Sequence, residues 1–196
     1  YDAIYVDFDK KSKRPQLASQ VAKLALLNRA NPGKSTLEAP PHQYLNEESL
    51  SPDEVCDKMN ESYCGLILSA EEGSCFTSSE YLLCGIPVVS TPSLGGRDVW
   101  YDAYNSIICE PTEEAVAAAV EKFVKNPPDS PSIRQNHIEK AQAYRAKFIK
   151  VVADVFNRFG ITDIDPSNYF QKKFYHRMRK SENIDFVKSL FCEKSE

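Results

Sequence analysis

Residues 69–91, SAEEGSCFTSSEYLLCGIPVVST, place acids, small hydroxyl residues and two glycines between two apolar runs. Glu72 and Glu80 are separated by seven residues, one carboxylate on a loop and one in the first turn of a helix. Gly73 lets the backbone turn after Glu72 without a Cβ clash. Thr77-Ser-Ser-Glu80 reads as a capping box that opens a short helix, and Gly85 ends it. The free N–H groups of that helix would point back toward the crevice the acids leave, which suits a phosphate or diphosphate. Lys13 and Arg14, in Lys10-Lys-Ser-Lys-Arg-Pro15, add cations after an earlier apolar run. Plainer roles stand beside these: Glu80 as a capping acid, Glu72 as a solvated loop acid, Lys10–Arg14 as an exposed basic turn. Gly95-Gly96 reads as a turn, with Arg97 and Asp98 carrying still less signal.

The elements that must hold these groups alternate. Asp2–Phe8 reads as a first strand, and Pro15 as the start of a helix with Leu17, Val21, Leu24 and Leu27 at helical spacing. Residues 30–50 are polar and Pro-rich with room for one weak strand. Ser51-Pro-Asp-Glu54 is a strong helix start, followed by a strand from Cys64 to Ser69. Ile86–Thr91 and Ser106–Cys109 are further strands. Thr112 caps a helix over 115–125, and Ser132 caps a long one ending near Phe159-Gly160. The last thirty-odd residues read as helical, basic around Lys172–Lys180. Strands alternating with helices give an α/β class with a Rossmann-like parallel sheet covered on both faces, whose ligands bind outside the strands' carboxyl ends. Stretch 69–91 lies at such an end.

The composition sets limits. The 196 residues are 42% apolar, enough for a core, and the net charge of −4 gives no general attraction to nucleic acid or anionic membrane. No apolar run approaches the roughly 20 residues that span a bilayer, and no secretory signal is visible. The six cysteines form no Cys-x-x-Cys pair and stand apart from His42, His137 and His176, so no metal site is expected. Reduced thiols suit a cytoplasmic protein, with peripheral attachment to the inner face of a membrane left open. The chain opens on Tyr1, so an upstream segment is expected.

Glu72-Gly73, Glu80, Leu82-Leu83, Gly85, Pro87-Val-Val89 and Gly95-Gly96 together resemble the donor-binding, C-terminal domain of retaining GT-B glycosyltransferases. The resemblance spans about residues 1–125 and is dense over 64–110. It implies a nucleotide-diphosphate sugar as donor, transfer of a hexosyl-type group with retention to a saccharide or other acceptor, and no metal or other cofactor. It implies that Glu72 faces the donor sugar, that Glu80 holds the ribose hydroxyls, and that Lys13 binds the diphosphate. Arg14, Gly73, Ser74, Cys75, Phe76, Thr77, Gly95 and Gly96 complete the expected donor site. Phe8 stands where that family usually has an arginine, and Cys75 where it has the last glycine of Glu-Gly-Phe-Gly. Residues 30–50 are too short for a full βαβ unit of ~30 residues, so the sheet has lost a strand or part of the protein is absent. The expected organisation is a donor domain over 1–130, a C-terminal helical extension over 131–196 packing on it, and an acceptor domain upstream, absent from this chain. A non-catalytic nucleotide-sugar sensor or scaffold on the same half-fold is the alternative. A dinucleotide oxidoreductase is weak, because no Gly-x-Gly-x-x-Gly follows the first strand.

Overall fold

A computed structural model of the chain describes residues 1–171. Six strands form one parallel sheet: β1 (Ala3–Val6), β2 (Leu24–Leu27), β3 (Tyr44–Leu45), β4 (Gly65–Ile67), β5 (Val88–Ser90) and β6 (Ser106–Ile108). Their spatial order is β3-β2-β1-β4-β5-β6. The helices are α1 (Pro52–Asn60), α2 (Phe76–Leu83), α3 (Glu113–Lys125), α4 (Ser130–Arg158) and α5 (Pro166–Tyr169). The basic stretch 172–180 lies outside the described residues.

Strands β1, β2 and β4 carry no charged or amide side chain because both faces are covered, and Ser90 of β5 donates its hydroxyl to Ile67 C=O at 3.1 Å. Ala3, Tyr5, Leu24, Leu26, Leu66 and Val89 pack against α3 and the 3-10 turn Pro15–Ala18. Their alternate neighbours Ile4, Val6, Ala25, Leu27, Ile67 and Val88 pack against α1, α2 and Ile133 of α4.

Two expectations need correction. The helical spacing from Leu17 to Leu27 does not make a helix: Pro15–Ala18 is a short 3-10 turn and Leu24-Ala-Leu-Leu27 is strand β2. All four of those residues are fully buried, with two on each sheet face, and a continuous apolar run of that length fits a two-faced strand. No strand is lost, either. With β2 drawn from that run and a two-residue β3, the described residues form a six-stranded sheet, and a loop rather than a helix joins β2 to β3.

The caps also differ in part. Ser51 and Glu54 make the reciprocal capping box, and the Thr112 hydroxyl accepts from Ala115 N–H. At α4, however, the cap is Asp129, whose carboxylate accepts from the N–H and the hydroxyl of Ser132.

The first compact unit is Tyr1–Lys140 and holds the whole sheet. In the second, Phe148 meets Phe170 at 5.6 Å and Phe156 meets Tyr169 at 5.5 Å.

Candidate functional site

The strand order reverses between β1 and β4, and there the pair is pried apart. The ring of Tyr81, from α2, lies where a Cβ on Gly65 would stand, 2.2 Å from it. Its hydroxyl donates to Ile4 C=O and accepts from Val6 N–H, at 3.2 and 3.1 Å, taking the place of β4 backbone. One register pair, Ile4 with Gly65, therefore joins these two strands. Chains leaving their carboxyl ends diverge around a crevice of about 490 Å³. Asp7, Lys13, Arg29, Glu72 and residues Ser74–Thr77 line it.

Lys13 reaches that crevice on a loop fixed from below. The buried Tyr5 hydroxyl donates to the Lys13 carbonyl, and Ala70 N–H donates to Ser12 C=O at 3.2 Å. Arg14 follows with a left-handed φ of 53° and turns inward. Its guanidinium donates to Leu68 C=O at 2.6 Å and to the Thr91 hydroxyl at 2.7 Å, joining the ends of β4 and β5.

Lys13 Nζ meets Glu72 Oε2 at 2.6 Å, with both side chains about one-fifth exposed. Desolvation alone would raise the Glu72 carboxyl pKa. Hydrogen bonds from Lys13 and Ser69, and the charges of Lys13 and Arg97, outweigh it and hold the group below the usual glutamate range.

The Glu72 loop is locked to the glycine loop. Glu72 N–H donates to Leu94 C=O at 2.9 Å, and Leu94 N–H to Ala70 C=O at 2.9 Å. Gly95 has a φ of 117°, and a Cβ there would stand 2.0 Å from Glu72 C=O, so only glycine permits this approach. Gly96 lies against Gly73, whose own Cα is open to space.

Beneath both loops sits Arg97, 1% exposed. It donates to Ser69 C=O at 3.1 Å and to Thr91 C=O, and its Nε meets Asp98 at 2.8 Å. Burying a guanidinium costs several kcal/mol unless its donors are satisfied, as they are here. Sequence reasoning undervalued Arg97; a charged residue after Gly95-Gly96 was the available signal.

The Thr77–Glu80 capping box does not form. Cys75 is the N-cap of α2 and makes no side-chain cap, while Ser74–Thr77 line the crevice. The Thr77 hydroxyl and Glu80 instead turn to Arg29, a residue sequence reasoning missed. Arg29 donates to both Glu80 oxygens at 2.9 and 3.0 Å, to the Thr77 hydroxyl at 3.1 Å and to Asp7 at 2.8 Å. One guanidinium nitrogen, Nη1, bridges both carboxylate oxygens, a charge-assisted contact that outcompetes a capping one. Phe8 is buried in the core, so the guanidinium on this side of the crevice comes from the end of β2. The signal was weak: one arginine after an apolar run that itself read as helix.

Arg29 and Glu80 also border a second, more apolar pocket of about 360 Å³, walled by Leu50, Val55, Met59 and Leu83. Among the described residues, no three of His, Cys, Asp and Glu cluster as a metal-ligand set, and no helix is long and apolar enough to cross a membrane.

Residues 48–143 match the family model of glycosyl transferases group 1. No curated protein matches the chain. Among solved structures it is similar to a sucrose-phosphate synthase from Thermosynechococcus elongatus, with a TM-score of 0.59 at 15% identity over 82% of this chain and 46% of that one. It is similar also to an α,α-trehalose 6-phosphate synthase from Burkholderia multivorans, with a TM-score of 0.54 at 16% identity over 83% and 44%. A third is TarM, with a TM-score of 0.55 at 15% identity over 76% and 34%. The chain thus spans less than half the length of these structures. At such identities the similarity establishes the fold, a Rossmann-like half of the GT-B architecture.

Proposed function

We propose, for a chain whose residues 48–143 match the model of the group 1 glycosyl transferases, that its first unit is the donor-binding half of a retaining enzyme using a nucleotide-diphosphate sugar. The observation that carries this is the pairing of Lys13 with Glu72 in the crevice at the reversal of strand order, with Arg29 in its wall joined to Glu80 at the edge of the apolar pocket. The diphosphate would lie at the start of α2, where first-turn N–H groups lack intrahelical partners and Lys13 adds a cation. Both favour the negative charge that grows as the glycosyl bond to the diphosphate breaks. Glu80, oriented by Arg29, would accept the ribose hydroxyls and hand the base to the apolar pocket behind it. Glu72 would then stand beside the sugar and fix its attitude. Gly73, Ser74, Cys75, Phe76 and Thr77 form the turn against the diphosphate, and Gly95-Gly96 supports it from behind. Arg14 acts through the strand ends it joins.

The acceptor, a saccharide or other hydroxyl compound, would approach from a second domain of the same protein. Titration calorimetry with nucleoside diphosphates, run beside a donor-consumption assay, tests the reading. Residues 1–196 should bind a nucleoside diphosphate weakly and transfer no sugar. Absence of any nucleotide binding would favour the scaffold reading instead.

A further inference from the structure

We propose that Cys56 and Cys84 form an oxidisable dithiol whose disulfide narrows the apolar pocket beside Glu80. Their sulfurs lie 3.2 Å apart, on α1 and on the C-cap of α2, and both line that pocket. A disulfide needs about 2.05 Å, so roughly 1.2 Å of closure separates the thiols from a bond. Both residues are partly exposed. The other described cysteines are placed differently: Cys64 and Cys75 are buried, and the Cys109 thiol donates to Ser90 C=O.

The two sulfurs are not equivalent. Cys56 Sγ accepts from the Asn60 side-chain amide at 3.5 Å. Cys84 donates to Met59 Sδ at 3.7 Å, and its thiol is pushed up to about 12 by burial and by the contact with Cys56. Cys56 is therefore the attacking sulfur and Cys84 the resolving one. With hydrogen peroxide as oxidant, the Cys56 thiolate attacks one oxygen, the O–O bond breaks, and hydroxide leaves and is protonated to water. Cys84 sulfur then attacks the Cys56 sulfenic acid, its proton joining the departing oxygen as a second water. Two thiols lose two electrons, and peroxide gains them.

Closure would draw α1 onto α2 one turn beyond Glu80. The effect on nucleotide rests on the donor-site reading above; the cross-link itself does not. The chain is treated with hydrogen peroxide, and the peptides from tryptic and chymotryptic cleavage are mapped without reduction. The expected product has lost two hydrogens and links Cys56 to Cys84, and dithiothreitol reverses it. Cys56→Ser and Cys84→Ser should each abolish the link and leave reduced-state folding intact by circular dichroism. Oxidation to sulfinic acid at Cys56 without the link, or a link to another cysteine, would overturn the proposal. In calorimetry with a nucleoside diphosphate, the cross-linked chain should bind at least tenfold more weakly than the reduced one. Equal affinity would overturn the gating. No binding by the reduced chain would refute the donor-site reading and leave the cross-link to be judged on its own map.

Discussion

Gly95→Ala should damage the candidate site far more than Gly96→Ala one residue later. At Gly95 the new Cβ would stand 2.0 Å from the Glu72 carbonyl oxygen and 2.8 Å from its carbon, and the backbone atoms it meets cannot rotate away. A side chain at φ 117° adds conformational strain of about 1–3 kcal/mol. Forcing the Glu72 loop outward adds an overpacking cost of about 1–3 kcal/mol. At Gly96 the φ is −94° and the nearest atom, Gly73 C=O, is 3.6 Å from the added carbon. That is ordinary contact. For a chain of this size each kcal/mol moves the Tm by roughly 2–4 °C, so Gly95→Ala should lower it by roughly 5–20 °C and Gly96→Ala by no more than about 2 °C. Differential scanning fluorimetry of the three proteins measures this. Equal melting temperatures for the two variants would refute the claim that the glycine loop is pressed against Glu72.

Lys13→Ala should weaken nucleoside diphosphate binding by about 1.5–3 kcal/mol, the range for a hydrogen bond to a charged group, and weaken nucleoside binding much less. Calorimetry at rising salt should show the difference shrink, because an accessible charge is screened over about 8–10 Å. Tyr81→Phe should cost about 1–3 kcal/mol in urea unfolding, since Ile4 C=O and Val6 N–H lose their buried partner. Glu72 and Asp102 both have folded pKa values below their ordinary range: desolvation opposes this, and the hydrogen bonds from Lys13 and Lys140 respectively overcome it. A depressed folded pKa contributes stability above the unfolded value, near 4, which is lost as pH falls through the folded one. Unfolding midpoints should therefore hold from pH 7 to about 5 and drop below about 4, a drop that Glu72→Gln makes shallower.

The parallel sheet and the turn at Gly95-Gly96 were legible because each rests on local chemistry. Apolar runs need two covered faces, and positions such as Gly95 tolerate no side chain. What was illegible depends on partners far away in sequence. Leu24–Leu27 satisfies helical spacing and strand burial equally, and only its place between β1 and β3 decides. Thr77-Ser-Ser-Glu80 is a good local cap, yet Arg29, 51 residues before Glu80, offers both of its carboxylate oxygens a cationic donor. Nothing local to Tyr81 marks the backbone groups of β1, 75 and 77 residues earlier, that its hydroxyl engages.

The central claim is that the crevice between Lys13, Glu72 and the start of α2 receives a nucleoside diphosphate. Amide chemical-shift mapping of the isotope-labelled chain, titrated with a nucleoside diphosphate, tests it most directly. The account predicts the largest shifts at Lys13, at Gly73–Thr77 and at Glu80, with β6 and α3 unmoved. Shifts concentrated away from that crevice, or none at saturating nucleotide, would contradict it.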